Sequence, residues 1–143
     1  MLKGIPKILS PELLKTLMEM GHGDEIVIAD GNFPVVTFGK RVIRYDGRGV
    51  PEILDAILKF FPLDDYVEYP VLLMKTAREN DQEPEIWKEY ESIIKKSNEN
   101  GIKIGFLERF EFYERATKAF AIIATSEEAL YANIILKKGV IRD

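Results

Sequence analysis

The one histidine of this 143-residue chain, His22, stands between two glycines at residues 21–23. A predicted helix precedes this turn, and an apolar run typical of a buried strand follows it and ends at Asp30. An imidazole titrates near neutral pH, so His22 could act as a general acid and base with a carboxylate one short strand away. Taken alone, however, its position favours a simpler interpretation, a histidine interacting with the negative end of a helix dipole.

Arg109 is a candidate for binding a polar ligand. Phe110 and Tyr113 follow it closely, so its guanidinium could hold a ligand beside an aromatic wall. Glu111 and Glu114 also lie nearby, and a surface ion pair with either of them would explain the arginine equally well. The residues alone leave both interpretations open.

A phenol and an amide flank a small residue at Tyr131, Ala132 and Asn133, directly before the last apolar run of the chain. Both groups can donate and accept hydrogen bonds, which suits a ligand rich in hydroxyl groups. A capped turn before a strand would use the same residue types, so the segment is a candidate binding element with a structural alternative.

The composition disfavours several kinds of site. The chain has no cysteine, and one histidine with scattered carboxylates specifies no set of metal ligands, so no metal or other cofactor is expected. The glycines around His22 lack the G-x-G-x-x-G pattern and precede a strand, which argues against a nucleotide site. Asp24 and Glu25 would point to opposite faces of a strand, so a carboxylate pair with Asp30 is not expected.

Nucleic-acid and membrane partners are not expected either. The net charge is −4, and lysine and arginine form no dense stripe. No apolar run approaches the roughly 20 residues that span a membrane, and the first residues do not read as a signal peptide. A cytoplasmic location is therefore expected.

Helix and strand patterns alternate along the chain. Helices are predicted from Pro11, Pro51 and Pro84, because proline suits the first helical turn, and the third helix is expected to stop at Asn100. Strands are predicted at residues 25–30, 35–38, 42–45, 71–74, 102–107, 120–124 and 134–136. The segment 108–118 is predicted to be a helix or an active-site loop.

Such interleaving indicates an α/β protein, with a three-layer α/β/α single domain over residues 1–143 around a mixed, mostly parallel central sheet. Asp30 would follow the first strand of that sheet. Ligands of open α/β sheets bind beyond the carboxyl ends of the strands, so Asp30 is expected at such an edge.

Four blocks of sequence, in a fixed order, carry a family resemblance. They are residues 9–15 with 20–26, the pattern Asp30-x-x-Phe33-Pro34, residues 109–116 with 118–121, and residues 131–139. Each block is weak alone, but together they span nearly the whole chain. In this combination the chain closely resembles the L-fucose mutarotase / D-ribose pyranase family.

The resemblance implies roles for the matching residues. His22 would be the proton donor, and Tyr113 is a possible further residue of the site. The residues that would contact the sugar are Asp30, Arg109, Tyr131, Ala132 and Asn133. The ribose branch looks to have a histidine in place of Arg109, so the chain resembles the fucose branch more closely. Gly31 replaces a common alanine and Ala132 also fits the ribose branch, so the exact sugar stays open.

The implied activity is interconversion of the α and β anomers of L-fucose or a related aldose by acid/base opening and closure of the ring. The resemblance also implies a homo-oligomer, a decamer of stacked pentameric rings with sites at subunit contacts. Two alternatives remain. One is a D-ribose pyranase that interconverts pyranose and furanose forms, and the other is a non-catalytic monosaccharide-binding module.

Overall fold

Five helices and six strands form in the part of the chain that the computed structural model describes, residues 1–97 and 101–142. The helices are α1 (Pro11–Glu19), α2 (Val35–Phe38), α3 (Val50–Leu58), α4 (Glu85–Ser97) and α5 (Arg109–Lys118). The strands are β1 (Glu25–Ala29), β2 (Val42–Tyr45), β3 (Val71–Met74), β4 (Ile104–Leu107), β5 (Ala121–Thr125) and β6 (Ile134–Lys137). None of these helices is long and apolar enough to cross a membrane.

The six strands join into one sheet in the order β2-β5-β1-β6-β3-β4. The pairs β1/β5, β2/β5 and β3/β4 are parallel, whereas β6 runs antiparallel to both β1 and β3. The predicted mixed and mostly parallel sheet is confirmed. Because β6 is reversed, its first residue lies at the edge of the sheet where β1 and β3 end.

Helices cover both faces of the sheet. Successive strand residues point to opposite sides, and apolar residues on both sides must be buried. In β1, Ile26 and Ile28 pack into a core with α1, α3 and α4, while Val27 and Ala29 pack into a second core with α2 and α5. All four side chains are fully buried. The predicted three-layer α/β/α arrangement is therefore confirmed.

Local capping explains why α1 begins where the sequence predicts. The Ser10 hydroxyl accepts a hydrogen bond from the backbone N–H of Leu13 at 3.1 Å, and Pro11 occupies the first helical position. The third predicted helix is confirmed as α4, which extends to Ser97. Its predicted stop at Asn100 lies outside the described residues.

Residues 35–38 form the short helix α2, so the strand predicted there is wrong. The β-branched side chains of Val35, Val36 and Thr37 favour strands by intrinsic propensity. However, Val35 is buried in the core beneath α5, and its carbonyl accepts the backbone N–H of Gly39 at 2.8 Å. A side chain on Gly39 would meet that same carbonyl oxygen at 2.8 Å, so glycine permits the tight end of the helix. Packing overrides propensity in this segment.

The segment 108–118, predicted as a helix or an active-site loop, contains the regular helix α5. Phe112 and Ala116 are one turn apart and fully buried on its sheet side, whereas Phe110 is exposed. The helix begins at Arg109, shortly after β4. Its first turn therefore lies at the same edge of the sheet as the end of β1.

Candidate active site

A cavity of about 320 Å³ opens at the edge of the sheet where β1, β3 and β4 end. Its walls come from residues that follow these strands and from the segment that precedes β6, which the reversed direction of β6 brings to the same edge. Residues singled out from the sequence that line it are Asp30, Arg109, Tyr113, Tyr131 and Asn133. The volume is at the lower end of the range for small-ligand sites.

Asp30 and Asn133 join two strands at the base of the cavity. The backbone N–H of Asp30 donates to Oδ1 of Asn133 at 2.7 Å, and Oδ1 of Asp30 accepts the backbone N–H of Asn32 at 3.0 Å. Burial raises the pKa of the Asp30 carboxyl, although hydrogen bonds from the backbone at Asn32, Ala132 and Phe33 oppose the shift. Asp30 therefore holds a proton more readily than an exposed aspartate does.

Tyr131 has a backbone conformation that residues other than glycine rarely adopt, with φ at 56°. The indole N–H of Trp87 donates to the Tyr131 carbonyl at 2.8 Å and fixes this turn from the side of α4. The Tyr131 phenol oxygen accepts the backbone N–H of Ala77 at 2.9 Å. Because the oxygen acts as an acceptor there, the phenol proton remains for donation to a ligand.

Ala132 differs from its neighbours because its side chain belongs to the core. It is fully buried, and its carbonyl accepts the hydroxyl of Tyr90 at 2.6 Å. Burial raises the pKa of Tyr90 far above its usual value, so this hydroxyl stays protonated and remains a donor. The Ala132 side chain therefore lies behind the cavity and does not form part of the cavity wall.

The Arg109 guanidinium lies beside an aromatic wall. Its Nε donates to the Tyr113 hydroxyl at 3.1 Å, and its central carbon lies 5.4 Å from the centre of the Tyr113 ring. That ring stacks on Phe38, with ring centres 5.1 Å apart. Glu114 pairs with Lys118, and the ion pairs found within residues 1–97 and 101–142 do not include Arg109. The hydrogen bond of Arg109 is thus made to Tyr113, and the ligand-clamp interpretation stays a prediction.

His22 lies at the opposite edge of the sheet from this cavity. It precedes β1 whereas Asp30 follows it, and the five residues of β1 alone span about 16 Å. The cavity wall does not include His22, whose side chain is 44% exposed. The structure therefore does not bring the imidazole and the carboxylate together within one chain, because a strand places its two ends on opposite edges of the sheet.

A buried carboxylate, Asp64, holds the His22 ring. Its Oδ1 lies 3.0 Å from Nε2 of His22 and also accepts the backbone N–H of Tyr66 at 3.1 Å. The Asp64 side chain is only 2% exposed. A carboxylate in this position fixes the orientation of an imidazole ring, as in acid/base catalysis by histidine.

Sequence reasoning missed Asp64 because residues 62–65 are also typical of a helix end. No local pattern connects Asp64 to His22, which lies 42 positions away. The structure also disfavours the dipole interpretation of His22. Lys138 Nζ, and not the imidazole, donates to the Leu17 carbonyl near the end of α1 at 2.8 Å.

Charged residues that the sequence analysis did not assign also line the cavity. Lys75 and Glu108 follow β3 and β4 and form an ion pair at 3.4 Å, with both side chains more than half exposed. Such an exposed pair contributes little to stability, but it places a cation and a carboxylate at the cavity mouth. Throughout the described ranges, no three acidic or histidine side chains are grouped so that they could hold a metal ion.

Comparison with known proteins identifies the class that this fold and site define. Residues 3–141 match the model of the RbsD / FucU transport protein family. The chain is 51% identical to the fucose mutarotase of Homo sapiens over 146 residues, an alignment that covers 98% of this chain and 94% of the relative.

Solved structures agree with this match. The crystal structure of the fucose mutarotase from Streptococcus pneumoniae in complex with L-fucose gives a TM-score of 0.92 at 51% identity, covering 99% of this chain and 100% of that one. Bacillus subtilis RbsD complexed with D-ribose gives a TM-score of 0.75 at 27% identity, covering 94% and 95%. This chain belongs to the RbsD / FucU transport protein family, and the family predicted from the sequence blocks is confirmed.

We expect Asp30→Asn to raise the free energy of unfolding at neutral pH. The amide can keep the hydrogen bond from Asn32 while it removes a charge that burial disfavours. Because the pKa of Asp30 is raised in the folded state, the ionised carboxyl weakens folding above that raised pKa. The advantage of the variant should be greatest at neutral pH and vanish as the pH falls toward 3.8, the unshifted value. Urea unfolding at several pH values measures this difference.

Asp46→Asn is the matched control. The Asp46 carboxyl is exposed, and a hydrogen bond from Arg44 lowers its pKa, so its contribution to stability is present above its usual pKa and is lost in acid. The control should therefore be slightly less stable than the wild type at neutral pH, opposite in sign to Asp30→Asn. An Asp30→Asn protein that unfolds more easily than the wild type at neutral pH would contradict the expectation.

Proposed function

We propose that this chain is a mutarotase that interconverts the α and β anomers of L-fucose or a closely related aldose. The observation that carries the proposal is the cavity where β1 and β3 end, in which a buried carboxyl, an amide, a phenol and a guanidinium converge. In support, a human relative at 51% identity is a fucose mutarotase, and a similar solved structure contains L-fucose. We further propose that residues 1–143 act as one mutarotase domain in the cytoplasm.

Exchange of anomers requires the ring oxygen of the sugar to gain a proton while the anomeric hydroxyl loses one. The bond between C1 and the ring oxygen then breaks, the aldehyde carbonyl turns, and the reverse steps close the ring on its other face. Protons balance over the cycle, and no electron transfer or covalent enzyme intermediate is involved. In the proposal His22, oriented by Asp64, donates the proton to the ring oxygen.

The sugar contacts that we propose are Asp30, Arg109, Tyr131, Ala132 and Asn133. Asp30 would accept hydrogen bonds from hydroxyls, whereas the Arg109 guanidinium and the Tyr131 phenol would donate them. Ala132 would act through the backbone, because its side chain is buried behind the cavity. Tyr113 would complete the wall, because its hydroxyl accepts the Nε–H of Arg109.

We propose that His22 acts in the cavity of a second copy of the chain. Within one copy, β1 separates His22 from Asp30 by about 16 Å, which is too far for both to touch one monosaccharide. The imidazole is partly exposed and the cavity opens to solvent, so a neighbouring copy can bring the two together. The decamer of stacked pentameric rings implied by the family resemblance, with sites at subunit contacts, would provide this arrangement.

A D-ribose pyranase is the alternative enzyme, and a monosaccharide-binding module is the alternative without catalysis. Against the first, the chain is less similar to the ribose-bound RbsD than to the fucose-bound mutarotase, at 27% against 51% identity. Against the second, a binding module has no need for a buried carboxylate that orients a histidine. The contact between His22 and Asp64 therefore favours catalysis.

The protein should accelerate anomer exchange of L-fucose more strongly than exchange among the forms of D-ribose. Saturation-transfer NMR at equilibrium measures both rates directly, with protein-free sugar as the baseline. Faster exchange of ribose than of fucose would favour the pyranase. Sugar binding without faster exchange of any aldose would favour the binding module.

His22→Asn should lower the enzymatic exchange rate by about 10²–10⁴-fold, because an amide cannot transfer the proton. Binding of L-fucose should remain measurable by calorimetry, since the cavity residues are unchanged. Asp64→Asn is a companion variant that keeps the imidazole but removes its orienting carboxylate, and it should slow exchange less than His22→Asn does. A His22→Asn protein with the parent exchange rate would show that the imidazole is not the proton donor.

Mixed assemblies of His22→Asn and Arg109→Ala chains should regain exchange activity that neither variant has alone. In a shared site, the intact cavity of the first chain receives the intact His22 of the second. In an equal random mixture, half of the cavities have an intact Arg109 and half of the neighbouring chains have an intact His22. About a quarter of the sites are then complete, so the rate should be about a quarter of the wild-type rate. Co-expression with two affinity tags isolates the mixed assemblies.

The control for this experiment mixes His22→Asn chains with chains that carry both substitutions, which should restore nothing. Arg109 is exposed, so its replacement should leave the fold intact. Mixed assemblies that stay inactive would show that each copy does not depend on the histidine of its neighbour.

A further inference from the structure

An exposed aromatic ring, Tyr66, lies beside His22 at the amino edge of β1. The two ring centres are 5.1 Å apart, and the ring planes are tilted by 50°. Tyr66 is 68% exposed, so its ring is not part of the core. The contact between His22 and Asp64 does not involve the Tyr66 ring, and the position of the ring therefore needs a separate explanation.

Tyr66 is held in place although it faces solvent. Its backbone N–H donates to the same Asp64 oxygen that bonds to His22. The guanidinium carbon of Arg142 lies 5.3 Å from the centre of the Tyr66 ring, and Arg142 donates two hydrogen bonds to Asp65, at 2.6 and 3.1 Å. The ring thus contacts both His22 and Arg142 while most of its surface stays exposed.

The cavity at the opposite edge of the sheet is open to solvent. Asp30, Asn133 and Arg109 are among the polar groups of its wall. A monosaccharide carries hydroxyls around its rim and C–H groups on its ring faces, and L-fucose also carries a methyl group. Polar side chains satisfy the hydroxyls, whereas an aromatic ring suits the apolar C–H surface.

We propose that Tyr66 is a sugar-contacting residue that one copy of the chain supplies, together with His22, to the cavity of its neighbour. The inference rests on the proposed function, because it requires His22 to reach that cavity. The Tyr66 ring lies so close to the imidazole that both would face the same sugar. Tyr66 would cover an apolar part of the substrate, and Arg142 is a positioning residue that holds the ring.

Tyr66→Ala should raise the KM for L-fucose about tenfold and change kcat less, because the ring binds ground state and transition state alike. Tyr66→Phe keeps the aromatic surface and should stay within about twofold of the wild type. Tyr69→Ala is the matched control and should leave KM unchanged, since the Tyr69 side chain packs against Gly105 of β4. Saturation-transfer rates over a range of fucose concentrations give KM and kcat.

A second measurement separates sugar contact from positioning of His22. In protein labelled with 3-fluorotyrosine, the resonance that disappears in Tyr66→Phe identifies Tyr66. L-fucose should shift this resonance in the His22→Asn protein, which binds sugar without turning it over. No shift, together with an unchanged KM for Tyr66→Ala, would overturn the proposal, and a changed pH profile alone would show that the ring only positions His22.

The same label distinguishes failure of this inference from failure of the proposed function. If the wild type does not accelerate exchange but fucose still shifts the Tyr66 resonance, the catalytic proposal fails while the contact stands. If exchange is fast and the mixed assemblies are active but Tyr66 does not respond to fucose, the contact fails while the catalytic proposal stands.

Discussion

The cavity depends on one buried hydrogen bond, from the backbone N–H of Asp30 to Oδ1 of Asn133 at 2.7 Å. It connects the end of β1 to the segment before β6, although the two residues are 103 positions apart. The bond can form because β6 lies in reverse between β1 and β3, so that its amino end meets their carboxyl ends. Trp87 and Tyr90 fix the same segment from behind, which accounts for the unusual backbone of Tyr131.

The chemical groups of the proposed reaction occupy opposite edges of one sheet. The cavity and its polar groups lie at the carboxyl edge of β1, whereas His22 and the buried Asp64 lie at the amino edge. No side-chain motion can span a whole strand, so the proposed reaction requires His22 and the cavity to come from two associated copies of the chain. Association of copies would then be a condition of activity, and dissociation would abolish exchange without unfolding any single chain.

Local patterns predicted the regular elements wherever pattern and packing agree. The continuous apolar runs at residues 26–29 and 71–74 can only be buried on both faces, and both are central strands. The wrong prediction at residues 35–38 arose where the local pattern and the packing disagree. There, β-branched residues form a helical turn because Val35 is buried and Gly39 leaves room for the turn to close. Propensity is a weak term beside such contacts.

The sequence by itself determined the layered α/β fold, the family and the groups available for chemistry, because these follow from local periodicity, residue type and the order of the blocks. Tertiary structure alone decided that Asp64 contacts His22, that Lys138 bonds to the last turn of α1, and that His22 lies across the sheet from Asp30. These contacts join residues far apart in the chain. The strand order and the reversed direction of β6 determine which distant residues meet, and no local sequence pattern predicts these contacts.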